Sequence, residues 1–109
     1  MSIEMTVGLP AYRVNGIAWL PMEGLCRQHR PPCPWELLIF EESHAGACGE
    51  DFFLAYADRL KKAGCVNIRY ITADEWVPLP MKWRAMGQAM AEGSKTFLLQ
   101  AGDDYIFIF

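Results

Sequence analysis

A chain of 109 residues with 10 basic and 13 acidic side chains has room for one small domain and carries a net charge of −3. So mild an acidic balance, with no basic stripe, argues against nucleic acid as a partner. With 52% of its residues hydrophobic the chain has ample material for a packed core, which excludes a disordered polypeptide.

Taken in order, Met5 to Leu9 is a short apolar run closed by Pro10, and it reads as a first strand. A helix is expected from about Gly16 to Arg27, with Ile17, Leu20, Met22, Leu25 and Cys26 as its apolar set. The Pro-rich stretch from Arg27 to Pro34 breaks it, and the arginines suit a helix carboxyl terminus. Trp35 to Phe40 is the second strand, ending on Glu41 and Glu42. The clearest helix runs from Gly49 to Ala63. Glu50 and Asp51 stand in its first turn, Lys61 and Lys62 in its last, and Gly64 in the capping position. Asn67 to Ile71 is a third strand. Pro78 and Pro80 precede a helix from Met81 to about Glu92, with Ala85, Met86, Ala89 and Met90 facing inward. The fourth strand begins at Thr96 and runs into Gly102-Asp103-Asp104-Tyr105. Four strands alternating with three helices predict an α/β three-layer sandwich with a mostly parallel four-stranded sheet.

The start of the chain has no positive segment followed by an apolar one, so no secretory signal is read there. No apolar run approaches ~18 residues, so no transmembrane segment is predicted and a cytoplasmic setting is expected. Cys26, Cys33, Cys48 and Cys65 form no Cys-x-x-Cys pair, and with His29 and His44 they match no common zinc pattern. They read as idle thiols, which pack as small hydrophobes.

In open α/β sheets ligands gather at the carboxyl ends of the strands. Candidate site residues follow the ends of the first, second and fourth strands. They are Pro10, Ala11 and Tyr12, then Glu41 and Glu42, then Asp103 and Asp104. Adjacent carboxylates at a strand end suit a metal-bound phosphate. Gly-Asp-Asp also supplies ordinary turn chemistry, Glu-Glu a solvated turn, and Tyr12 a half-buried strand end.

Four segments, in this order and spacing, resemble the family 2 glycosyltransferases. They are Val7-Gly-Leu-Pro-Ala-Tyr12, Ile39-Phe-Glu-Glu42, Met81-Lys-Trp-Arg-Ala-Met-Gly87 and Leu99-Gln-Ala-Gly-Asp-Asp-Tyr105. They are similar to the family's Pro-Ala-Tyr-Asn strand end, Asp-Asp-Gly-Ser strand end, Ala-Arg-Asn-x-Gly helix start and Leu-Asp-x-Asp-Asp metal signature. Arg13 replaces the asparagine, glutamates replace both aspartates, and Ala101 stands at the first aspartate of the signature.

The resemblance implies the nucleotide-binding half of a GT-A (Rossmann-like) fold over residues 1–109. It implies glycosyl transfer of the hexosyltransferase type from a nucleotide sugar, with uridine as the expected nucleoside, to an acceptor the residues do not identify. A divalent cation, Mg or Mn, would sit on Asp103 and Asp104. Tyr12 would flank the base beside Pro10 and Ala11. Glu41 and Glu42 would accept from base and ribose, and Arg84 would meet phosphates. Lys82 reads as a solvated surface residue.

The family's catalytic base lies beyond the metal signature, so on this resemblance it falls beyond residue 109. The apolar run Tyr105–Phe109 is then expected either beneath a second half or at an oligomer contact. A nucleotidyltransferase is the alternative enzyme class, although Pro10 to Gly16 is no Gly-rich phosphate loop. A non-catalytic α/β interaction module is the third reading.

Overall fold

The computed structural model describes residues 3–11, 19–27, 33–42, 49–75, 77–90 and 92–99. Apolar runs too short for helices become strands β1 (Met5–Ala11), β2 (Trp35–Glu42), β3 (Cys65–Ala73) and β4 (Thr96–Leu99). They form one sheet in the order β3-β2-β1-β4, and every pair is parallel. The expected α/β class and parallel sheet are therefore what the chain adopts.

Strand β2 is buried along its whole length, as a central parallel strand covered on both faces must be. Its alternate side chains separate two cores. Trp35, Leu37 and Ile39 join Val7, Leu9 and Ala11 against helices α1 (Trp19–Arg27), α2 (Glu50–Leu54) and α3 (Ala57–Lys62), through Met22, Leu25, Phe53 and Leu60. On the other face Leu38 and Phe40 meet Met86 of α4 (Leu79–Gln88), with Phe97 packed alongside. The result is a Rossmann-like sandwich of three layers. Trp35 is completely buried, and its indole N–H donates to the Ala63 carbonyl at 3.1 Å, tying β2 to the end of α3.

Two helices differ from expectation. The helix foreseen over 49–63 divides at Ala55–Tyr56, where the Tyr56 N–H turns back to the Phe53 carbonyl at 3.1 Å. No glycine or proline marks the division in the sequence, whereas Gly64, at φ 98°, caps α3 as anticipated. Helix α4 begins two residues before Met81 because Pro80 falls in its first turn, where a missing N–H forfeits nothing. It ends at Gln88, earlier than foreseen.

Gly8 lies in β1 between Leu38 and Leu99. A Cβ there would stand 2.8 Å from Phe97 Cζ and 3.3 Å from Met86 Sδ. Gly8→Val should therefore lower stability by about 1–3 kcal/mol through overpacking. Phe97→Leu in the same background should recover part of that loss in urea titrations.

Helices α1 and α3 are clamped by Glu23, whose two carboxylate oxygens each lie 2.6 Å from an Arg59 guanidinium nitrogen. Those hydrogen bonds, with Arg27 assisting, hold the Glu23 carboxyl at about 2 instead of 4.5. A lowered folded-state value contributes stability that is complete above 4.5 and disappears as pH falls through about 2. Across that acid range the melting temperature of Glu23→Gln should fall less steeply than that of the wild type. Parallel acid profiles would show that the clamp contributes nothing.

Candidate functional site

Parallel strands present their carboxyl ends on one edge of the sheet, and helices start from that edge. Ala11 stands beside Glu41 and Pro10 beside Phe40, so Pro10, Ala11 and Glu41 share it. Among the described residues strand β4 pairs with β1 over Met5–Gly8. Pro10, two residues beyond Gly8, has no N–H to give a ladder on either side. The strand order reverses direction between β1 and β4, making the carboxyl ends of these two strands the topological switch point at which such sheets bind ligands.

The two glutamates are not side by side in space. Consecutive strand residues project to opposite faces, and each carboxylate is fully buried on its own face. Glu41 accepts from the Tyr70 hydroxyl at 2.7 Å and from the Gly49 N–H at 3.1 Å. Glu42 accepts from the Val77 N–H at 3.0 Å and pairs with the Lys82 ammonium at 2.9 Å. These contacts tie the residues just before α2 and α4 to the end of β2. Base or ribose recognition by either carboxylate would have to share it with these protein donors.

Lys82 departs from its reading as a surface residue. It is buried, because the first turn of α4 lays it over the end of β2 with Glu42 as its counter-ion. Arg84, two residues on, is exposed. Tyr12, Asp103 and Asp104 lie outside the described residues, as do Ser43, His44 and the run 105–109. Asp103 follows the end of β4 by four positions in sequence.

Four further carboxylates stand at this edge, of which the sequence singled out Glu50 and Asp51 only as first-turn helix acids. Glu50 and Asp51 open α2, and Asp74 and Glu75 follow β3; all four are exposed. The rim of the candidate site is therefore acidic among the described residues. Among the described residues no group of three or more His, Cys, Asp or Glu side chains is placed to hold a metal ion.

Cys26, Cys33 and Cys65 are free thiols. Burial pushes the Cys65 thiol up to about 11 and raises that of Cys26, so neither is a ready nucleophile or ligand near neutrality. Among the described residues no helix is long and apolar enough to cross a membrane.

A second polar cluster lies at the opposite, amino-terminal end of the sheet. Glu36, buried in β2, takes a two-pronged contact from Arg69 of β3, at 2.6 Å from Nη2 and 3.1 Å from Nε. The Thr6 hydroxyl donates to the same carboxylate at 3.2 Å and lies 3.0 Å from Ser94 Oγ. Arg69 also donates to the Ala89 carbonyl at the end of α4. The sequence reading passed over these residues. The available signal was one acidic and one basic side chain flanked on both sides by apolar residues, Glu36 between Trp35 and Leu37 and Arg69 between Ile68 and Tyr70.

No family model, no curated protein and no solved structure matches this chain.

Proposed function

We propose that the chain binds a nucleotide-sugar donor at the carboxyl edge of its sheet, between β1 and β4, as the donor-binding part of a GT-A glycosyltransferase. The observation that carries this reading is the strand order β3-β2-β1-β4 with all strands parallel, whose switch point falls between β1 and β4, on the edge where Pro10 and Ala11 stand. The motif resemblance supplies the substrate class. In this proposal Ala11 offers backbone groups to the base, Tyr12 flanks it, and Asp103 and Asp104 hold a divalent cation. Bound there, the cation would neutralise the charge that develops on the departing nucleoside diphosphate.

The acidic rim supports the need for a metal. Glu50, Asp51, Asp74 and Glu75 would repel a bare diphosphate, so a cation must offset both partners. Among the described residues Arg84, exposed on α4, sets a single positive charge against them. Glu41 and Glu42 act in this reading by holding the backbone at Gly49 and Val77, which shapes the rim.

Calorimetric titration with uridine and guanosine diphosphates, with manganese and with chelator, tests the proposal. Binding is expected with manganese only, and Asp103→Asn should weaken it at least about tenfold, a change of ~1.4 kcal/mol. Glu50→Gln, at the rim but outside the metal pair, should leave binding intact or slightly tighter. Binding that survives in chelator would refute the metal role. No binding of either nucleotide under any condition would overturn the proposal.

A further inference from the structure

Strand β3 is one edge of the sheet, and among the described residues no strand pairs with its outer side. It runs for nine residues without proline, and alternate residues of a parallel edge strand turn their N–H and C=O groups outward. Beside its start, α2 and α3 leave a groove lined by Leu54, Ala57, Asp58, Lys61, Val66 and Ile68. Leu54 is 41% exposed and Val66 45%, so two large apolar side chains meet water along one groove. Natural edge strands are usually blunted against pairing, and an apolar edge next to an apolar groove is a ready template.

The charges identify the occupant. Asp58 and Lys61 are both exposed, lie three residues apart on α3, and form no ion pair with the chain itself among the described residues. One acid and one base on the same patch are self-complementary about a two-fold axis. In an isologous interface Asp58 of each copy would face Lys61 of the other. A net charge of only −3 puts little general repulsion in the way.

We propose that a second copy of this chain docks here, with β3 meeting β3 in antiparallel fashion to extend the sheet across a two-fold axis. The groove would bury Leu54 and Val66 of both copies. This surface lies at the β3 edge, whereas the candidate nucleotide site lies between β1 and β4, so the inference does not rest on the proposed function.

Sedimentation velocity from roughly 1 to 100 µM provides the test, a range that spans moderate to weak self-association. The wild type should sediment as a dimer at the upper end, and Val66→Lys as a monomer with unchanged circular dichroism. Asp58→Lys and Lys61→Asp should each weaken the dimer through like-charge contacts across the axis. The double variant Asp58→Lys/Lys61→Asp should restore it, which a merely structural effect of either substitution would not do. A wild type that stays monomeric throughout overturns the proposal. So does a dimer indifferent to Val66→Lys and to the charge exchange, since another surface must then mediate it.

Discussion

Lys82→Met should destabilise the protein by about 3–5 kcal/mol, the usual consequence of removing one partner of a buried ion pair. Both side chains are almost wholly buried, and the ammonium sits 2.9 Å from the Glu42 carboxylate. Methionine fills much of the same space, so most of the loss comes from leaving Glu42 ionised without its cation. For a domain whose total stability is about 5–15 kcal/mol, that is a large fraction. A double variant separates charge from packing. In Glu42→Gln/Lys82→Met the amide keeps an acceptor for the Val77 N–H but carries no charge, and most of the stability should return. Urea titrations at neutral pH measure this directly. A Lys82→Met protein within about 1 kcal/mol of wild type at neutral pH would show that the pair carries little of the fold's stability.

The strands were legible because their signal is local. Leu37-Leu-Ile-Phe40 cannot be covered on one side only, and a run buried on both faces belongs in the centre of a parallel sheet. Gly64 was legible for a similar reason, since it follows two lysines at a helix end and takes the left-handed conformation that glycine tolerates. Partners of single side chains were not legible, because they depend on register. Glu36 stands opposite Asn67, and Arg69 opposite Leu38, so the two charges meet on a diagonal. That diagonal depends on an irregularity between Trp35 and Glu36 that no residue type announces. The same holds for Glu41 and Glu42. Their adjacency in sequence suggested one acidic pair, whereas strand geometry sends them to opposite faces. Of the candidate site, the edge on which Pro10, Ala11 and Glu41 stand was readable from strand order, while the burial of Lys82 needed the position of α4 over β2.

Arg69→Met should be of comparable severity, about 3–5 kcal/mol, although Arg69 itself is partly exposed. What decides the magnitude is its partner. The Glu36 carboxylate has a side-chain exposure of 1%, so solvent cannot replace the guanidinium, whereas 37% exposure leaves Arg69 readily hydrated once released. The arginine also joins separate pieces of the fold: it grips Glu36 with two nitrogens, and one of these reaches the Ala89 carbonyl where α4 ends. Through Thr6 and Ser94 the same cluster extends to β1 and to the residues that enter β4. Lysine supplies the charge without the planar fork, so Arg69→Lys should fall between methionine and the wild type. Glu36→Gln/Arg69→Met should be milder than Arg69→Met alone, giving a coupling energy in a double-mutant cycle that exposed ion pairs do not reach. The cluster lies at the end of the sheet remote from Pro10 and Ala11, so its loss should act on folding alone. If the chain binds a nucleoside diphosphate as proposed, Arg69→Lys should match the wild type in that binding at temperatures where it remains folded. If Arg69→Met and Arg69→Lys both unfold at the wild-type urea midpoint, the cluster is a surface contact in solution and its burial contributes nothing to the fold.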